Sequence, residues 1–179
     1  MKAILTVLLA LASFLPAISQ ASDAAKIDKL VAAGLPKLYA SNPAAAKLAR
    51  HAKAILVFPK IINAGFMIGG KHGDGALIEH GYTIGYYATT SATYGLQAGI
   101  TKFGYALFFM DDEALSYFKR SKGWEIGVGP TVVVADAAFA RSAASTTLRK
   151  GVYAFFFDQK GLMAGAGLQG TKITRIFPD

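Results

Sequence analysis

The chain has 179 residues, no cysteine and a formal net charge of +8, from 19 basic and 11 acidic residues. The absence of cysteine excludes disulfide bonds, thiol catalysis and lipid attachment through a cysteine. The basic surplus favours anionic partners such as lipid headgroups, acidic glycans or nucleic acid. Nucleic acid is not expected, because no basic run is interleaved with aromatic residues.

The first 21 residues are predicted to be a secretory signal peptide. Lys2 is followed by an uncharged apolar run from Ala3 to Leu15 and by the small-residue site Ser19-Gln20-Ala21. The run is shorter than the roughly 20 residues that a membrane-spanning helix needs. We therefore expect a single mature domain over residues 22–179, periplasmic or secreted and peripherally associated with a membrane.

A first helix is predicted to begin at Asp23, which is a suitable N-cap. Its apolar side has spacings of three and four residues and consists of Ile27, Leu30, Val31, Leu35 and Leu38. Lys26, Lys29 and Lys37 fall together on one flank of that side. This arrangement is typical of a helix packed on a core with a solvated lysine edge, and also of a helix lying at a membrane surface.

Breaks in the helical pattern follow. Gly34 and Pro36 are expected to end or kink the first helix near Ala33. A short second helix is predicted from Asn42 as N-cap, with Pro43 as its first residue, up to Arg50.

Residues 53–110 alternate between strand and turn patterns. The predicted strands are Lys53 to Pro59, Ala64 to Gly70, Gly75 to His80, Tyr82 to Ala88, Thr93 to Thr101 and Phe103 to Met110. Gly70 to Gly75 is predicted to be a hairpin turn with a basic tip at Lys71. Glycines inside the strands are expected to relieve crowding in a coiled sheet. They are Gly65, Gly69, Gly85, Gly95 and Gly99.

Gly65, Gly70 and Lys71 have the spacing of a phosphate-binding P-loop. His72, however, stands where a Ser or Thr hydroxyl would hold magnesium. The glycine-rich residues that follow also cannot start the helix whose N–H groups would bind phosphate. A glycine-rich hairpin is the favoured interpretation.

His72, Asp74 and His80 can be assembled into a metal site, since residues 72 and 74 point the same way from a strand. Histidines and an aspartate in turns are the plainer interpretation. We predict neither a metal nor another cofactor.

A helix is predicted after Asp111-Asp112-Glu113, ending with Lys119, Arg120 and Lys122 before Gly123. The adjacent carboxylates at 111 and 112 suit general acid-base chemistry in principle, but helix capping is the favoured interpretation.

The remaining pattern is again rich in strands. Strands are predicted at Trp124 to Gly129 and Thr131 to Ala135, and a hairpin at Gly151 to Phe157 and Leu162 to Leu168. The Ala/Ser-rich segment from Asp136 to Thr147 is interpreted as a loop or a frayed helix.

The predicted fold is α+β. About eight to ten antiparallel strands are expected to form a strongly coiled, barrel-like sheet, with the N-terminal helices and one inserted helix packed on it. No serine lies in a nucleophile elbow, so enzymatic activity has no positive support.

Three blocks of the sequence carry a resemblance to a known family. They are AKAILVFPKIINAGFMIGGKHGDGALI, YGLQAGITKFGYALFFMDDEAL and GVYAFFFDQKGLMAGAGLQG. In this order they resemble the SYLF domain, over about Ala25 to Ile176. The resemblance implies a non-enzymatic, β-rich domain that binds acidic membranes, especially those with phosphoinositides, through a basic surface and an amphipathic N-terminal helix. Some relatives also bind and bundle actin.

We therefore predict peripheral binding to anionic membranes. The basic residues expected to bind lipid are Lys26, Lys29, Lys37, Lys53, Lys60 and Lys71. The side chains expected to insert into the bilayer are Ile27, Leu30 and Val31. Their insertion requires the first helix to leave the core, with Gly34 and Pro36 as a hinge.

Two alternatives stay open. One is a structural or stress-related envelope protein without a specific ligand. The other is a small outer-membrane β-barrel, which is disfavoured because Ala54 to Phe58 and Phe155 to Phe157 are apolar on both faces.

Overall fold

Three helices and six strands form in the part of the chain that the computed structural model describes, residues 23–135, 150–160 and 168–179. The predicted signal peptide and the Ala/Ser-rich segment 136–147 lie outside these residues. So does all but the last residue of the strand predicted from Leu162 to Leu168.

The first helix, α1, spans Asp23–Ser41 and continues through Gly34 and Pro36. Its buried face consists of Ile27, Val31, Gly34 and Leu38. A Cβ atom at Gly34 would lie 3.2 Å from the ring of Phe157, so the missing side chain lets the helix approach the sheet closely. Packing on the sheet outweighs the poor local helix propensity of glycine and proline, and the predicted end near Ala33 is wrong.

Helix α2, Pro43–Ala49, begins as predicted. The side chain of Asn42 accepts hydrogen bonds from the N–H groups of Ala44 at 3.2 Å and Ala45 at 3.4 Å. Arg50 follows the helix as its C-cap.

Helix α3, Asp112–Arg120, has acidic residues in its first turn and basic residues in its last. Asp111 is its N-cap and accepts a hydrogen bond from the N–H group of Ala114 at 2.8 Å. Its second carboxylate oxygen accepts one from the N–H group of Gly151 at 2.5 Å. The capping interpretation is confirmed, and Asp111 also ties the helix to the strand that follows Gly151.

Two very long strands dominate the sheet. Strand β1 spans Ala54–Glu79 and strand β2 spans Tyr82–Phe109, so each replaces three predicted short strands. They pair antiparallel along their whole length and are joined by a turn at His80-Gly81, where φ is 52° and 85°. The predicted turn at Gly70 to Gly75 is wrong, because these residues lie inside β1 and pair with residues 87–92.

The β1–β2 ribbon folds back on itself. Its register shifts between Phe58 and Ile61, where a bulge interrupts the pairing, and again near Gly65. A Cβ atom at Gly73 would lie 2.5 Å from the carbonyl oxygen of Lys60. The early and late parts of β1 therefore touch through glycine, and this contact gives the sheet its strong curl.

Four shorter strands complete the sheet. They are β3 (Trp124–Glu125), β4 (Val132–Val134), β5 (Val152–Lys160) and β6 (Lys172–Ile176). The order is β3-β6-β2-β5-β4, with β1 also on β2, and every pair is antiparallel except β4 with β5. The predicted α+β fold with a strongly coiled sheet is confirmed. Strand β6 was missed, although Ile173 and Ile176 lie in a run of β-branched residues.

The curled sheet separates two hydrophobic clusters. The inner one is rich in aromatic rings and includes Phe58, Tyr105, Phe109, Phe118 and Trp124. The outer one joins α1 and α2 to the sheet and includes Leu38, Leu48, Phe108, Phe155 and Phe157. Helix α1 therefore lies on the outside of the curl, where one flank faces solvent.

Candidate functional site

Polar contacts hold α1 on the sheet in addition to its buried apolar face. The carboxylate of Asp28 accepts hydrogen bonds from Thr83 Oγ1 at 2.9 Å and from Tyr86 Oη at 2.8 Å. Burial and the hydrogen bond to Asp28 raise the pKa of the Tyr86 hydroxyl. Further along the helix, Lys37 Nζ lies 2.9 Å from Asp158 Oδ2.

An open groove of about 630 Å³ lies beside the N-terminal half of α1. Two stretches of β1, around residues 60–62 and 72–74, form one side of the groove, and the end of β6 with the two residues after it, 176–178, forms another. The fold-back of β1 brings these two stretches together. The groove thus combines residues of α1, β1, β2 and the end of the chain, which are distant in sequence.

Basic and acidic side chains both line the groove. Lys26 Nζ forms an ion pair with Asp23 Oδ1 at 2.8 Å, and His72 Nε2 lies 3.6 Å from Asp74 Oδ1. Lys60 also lines the groove, and it forms no ion pair with any residue that the structure describes.

Exposed apolar side chains share the groove with these charges. Leu30 is 46% exposed, Ile62 is 41% exposed and Phe177 is 83% exposed. Phe177 also borders a smaller groove of about 330 Å³ on the other side of the chain end, and the guanidinium carbon of Arg175 lies 5.3 Å from its ring centroid. Large apolar side chains left in water beside cations are typical of a binding surface.

The β1–β2 pairing extends this surface beyond the groove to Ile100 and Lys102, and the groove with these two residues is called the groove surface below. Lys102 lies directly opposite Ile62 in the register, so their side chains are on the same face of the ribbon. Ile100, two residues earlier in β2, is exposed as well. Lys102 is exposed and is in no ion pair within the described ranges.

The structure brings together only part of the predicted lipid-binding set. Lys26 and Lys60 line the same groove, and Lys29 is exposed on α1, three residues from Lys26. Ile27 and Val31, two of the three predicted insertion residues, are buried against the sheet, whereas Leu30 is exposed.

The other three predicted lysines lie elsewhere. Lys37 is paired with Asp158, and Lys53 Nζ lies 3.1 Å from Asp112 Oδ2. Lys71 lies within β1, not at a hairpin tip, and its partial burial lowers the pKa of its ammonium group.

Three side chains of the groove surface were not predicted from the sequence. Ile62 and Lys102 become neighbours only through the long β1–β2 register, and Phe177 reaches the groove only because β6 pairs with β2. The one local signal was Phe177 itself, an aromatic residue directly after the strand pattern of β6.

The other candidate sites of this segment do not assemble. Gly65, Gly70 and Lys71 lie in an extended strand with no helix start after them. His80 is in the β1–β2 turn, eight residues along the chain from His72. Within the described part of the chain, no three His, Asp or Glu side chains come together in a way that could hold a metal ion.

Comparison with known proteins matches about half of the chain to a protein family. Residues 90–176 match the family model described as Ysc84, a Las17-binding protein actin regulator. The match agrees with the resemblance to the SYLF domain in the sequence, and residues 90–176 are called the SYLF segment below. A comparison with curated proteins gives no match. The SYLF segment contains most of β2, α3 and strands β3 to β6, whereas α1 and β1 precede it.

The SYLF segment therefore contributes one side of the groove surface. It supplies Lys102, Ile100 and the β6 end at Ile176, while Lys26 and Lys60 come from the preceding elements. No helix among the described residues is long and apolar enough to cross a bilayer.

Proposed function

We propose that this protein is a non-enzymatic lipid-binding protein that associates peripherally with anionic membranes. One observation carries the proposal: Lys60 in the groove and Lys102 beside it, which form no ion pair with the described residues, stand beside exposed apolar side chains. The match of residues 90–176 to the SYLF family model supports it, because the resemblance to that family implies binding to acidic lipid.

The charges alone supply part of the affinity. A basic side chain at an anionic surface contributes about 1 kcal/mol, so Lys29, Lys60, Lys102 and Arg175 together contribute about 4 kcal/mol. That free energy corresponds to millimolar binding only. Apolar side chains must therefore enter the membrane as well, and each contributes about 1.5 to 3 kcal/mol when it is fully buried from water.

Vesicle co-sedimentation tests the proposal. We expect the protein to sediment with phosphatidylcholine vesicles that contain about one third phosphatidylglycerol, and not with phosphatidylcholine alone. Raising the salt to about 0.5 M should release most of the bound protein, because it screens surface charges within a few ångströms. Equal sedimentation with both vesicles would refute a preference for anionic lipid. Sedimentation with neither would refute lipid binding and favour an envelope protein without a specific ligand.

A charge-reversal variant with a matched control sharpens the test. The groove variant replaces three exposed lysines outside the ion pairs by glutamate: Lys29→Glu, Lys60→Glu and Lys102→Glu. The control makes the same change in net charge at exposed residues near α3 and β5: Arg120→Glu, Lys122→Glu and Lys150→Glu. We expect the groove variant to bind at least a hundredfold more weakly, from about 3 kcal/mol of lost attraction, and the control to lose much less.

Actin is the second partner that the family description suggests, since it names an actin regulator. The groove surface offers no observation that favours actin over lipid. Co-sedimentation with filamentous actin in the absence of vesicles is the corresponding test.

A further inference from the structure

We infer that the protein docks on the membrane with α1 still packed on the sheet, and that Leu30, Ile62 and Phe177 are the side chains that enter the bilayer. The inference rests on the proposed function and specifies the docking face and its anchors. It replaces insertion of Ile27 and Val31, which requires α1 to leave the sheet.

The first argument concerns where free energy is gained. Apolar side chains stabilise a membrane complex because they leave water. Ile27 and Val31 are already out of water, so moving them from the protein core into lipid exchanges one apolar environment for another. Leu30 and Phe177 are substantially exposed, and their transfer into the bilayer removes apolar surface from water.

The second argument concerns what helix release would break. It would separate Asp28 from Thr83 and Tyr86, and it would break the ion pair between Lys37 and Asp158. It would also expose the sheet residues beneath α1, including the ring of Phe157. Binding with the helix in place loses none of these contacts.

The third argument concerns the geometry of the anchors. Leu30 lies in α1, Ile62 in β1 and Phe177 directly after β6, yet all three line one groove. Lys60 lines the same groove, and Arg175 stacks over the Phe177 ring. Cations placed around apolar tips match an anionic bilayer, where headgroup charge surrounds the hydrocarbon that the tips enter. An anionic bilayer surface is therefore the partner that this face fits.

A disulfide lock tests whether α1 must move. A Cβ atom at Gly34 would lie 3.3 Å from the Cβ atom of Pro59, just below the roughly 3.5 to 4.5 Å between Cβ atoms in disulfides, so a small backbone shift allows the bond. The natural chain has no cysteine to interfere. In the double variant Gly34→Cys, Pro59→Cys the bond would tie the middle of α1 to β1. We expect the oxidised and reduced forms to bind phosphatidylglycerol-containing vesicles with affinities within about twofold of each other.

Point variants test the anchors without touching the α1–sheet contact. Phe177→Ser should weaken binding by about tenfold or more, because the most exposed of the three side chains is lost. Leu30→Ser should have a smaller effect in the same direction. Val128→Ser is the matched control: its side chain is 56% exposed in the loop after β3, outside the groove, and we expect no more than a twofold change.

The outcomes separate the inference from the proposed function. A natural protein that does not prefer anionic vesicles refutes the proposed function itself. Retained binding by the natural protein, with binding lost on oxidation of the double variant and regained on reduction, overturns the inference and shows that α1 is released. If the double variant does not fold, the point variants still test the inference. Vesicle binding by Phe177→Ser that equals binding by Val128→Ser would overturn it.

Discussion

The curl of the sheet brings β1 into contact with itself at glycine residues, and Gly75→Ala is the sharpest test of that contact. A Cβ atom at residue 75 would overlap the carbonyl oxygen of Val57 and lie 2.6 Å from Cδ1 of Phe58. The first of these atoms belongs to the backbone of a paired strand, so no change of rotamer can relieve the overlap. The two parts of β1 must move apart to accept the methyl group.

The cost can be estimated from similar changes in packed cores. Overpacking by one or a few methyl groups typically costs about 1 to 3 kcal/mol. Replacing glycine by alanine also lowers the entropy of the unfolded chain, which returns about 0.4 to 1 kcal/mol. Because the overlap is with backbone, we expect a net loss of about 2 kcal/mol, or a fall in the melting temperature of about 4 to 8 °C for a domain of this size.

Gly70→Ala is the matched control in the same strand. A Cβ atom there would have its nearest contact at 3.7 Å, to the carbonyl oxygen of Ser91. We expect this variant to be at least as stable as the natural protein. Urea unfolding followed by circular dichroism, with both variants side by side, gives the two free energies of unfolding. If Gly75→Ala were as stable as Gly70→Ala, β1 could not fold back on itself as described.

Three further changes probe a cap, a buried hydroxyl and the attachment of α1. Asp111→Ala should lower the free energy of unfolding by about 1 to 2 kcal/mol, whereas the exposed Asp112→Ala should cost less than about 0.5 kcal/mol, both measured by urea unfolding. Burial raises the pKa of the Tyr105 hydroxyl, so above pH 10 the unfolded chain loses a proton that the folded protein keeps, and stability falls by about 1.4 kcal/mol per pH unit. Tyr105→Phe should remove that part of the slope, measured by urea unfolding from pH 9 to 11. Asp28→Ala should speed amide hydrogen exchange along α1, while Lys29→Ala, which removes only an exposed side chain, should not.

Each of these expectations can fail in a specific way. Equal losses for the two aspartate variants would mean that the cap carries no stability. An unchanged alkaline slope in Tyr105→Phe would show that this hydroxyl ionises as easily in the folded protein as in the unfolded chain. Equal exchange in Asp28→Ala and Lys29→Ala would show that the hydrogen bonds from Thr83 and Tyr86 do not hold the helix.

Features determined by neighbouring residues were predictable from the sequence. Asn42 and Asp111 were identified as caps because a cap needs only a short polar side chain and the following N–H groups. The coiled α+β fold was predictable because glycines recur within strand patterns. Peripheral membrane binding, and the set of lysines that bind lipid, stay predictions until vesicle binding is measured.

Features determined by distant residues were not predictable. Gly73 and Gly75 have the composition of a turn, and only their contact with the early part of β1 shows that they serve close packing. Gly34 was interpreted as a helix end for the same reason. The groove was not predictable for the same reason, because Ile62 and Phe177 meet only after both the fold-back of β1 and the pairing of β6 have formed.

The long antiparallel register also bears on how the chain reaches its folded state. Pairing starts at Glu79 with Tyr82 and ends at Ala54 with Phe109, so a ribbon growing from the His80-Gly81 turn closes only short loops at each step. The contact of Gly75 with Val57 requires both ends of β1 to be in place, so it belongs to the late stage of folding. A substitution there should therefore accelerate unfolding far more than it slows folding, which makes the curl of the sheet a determinant of kinetic lifetime.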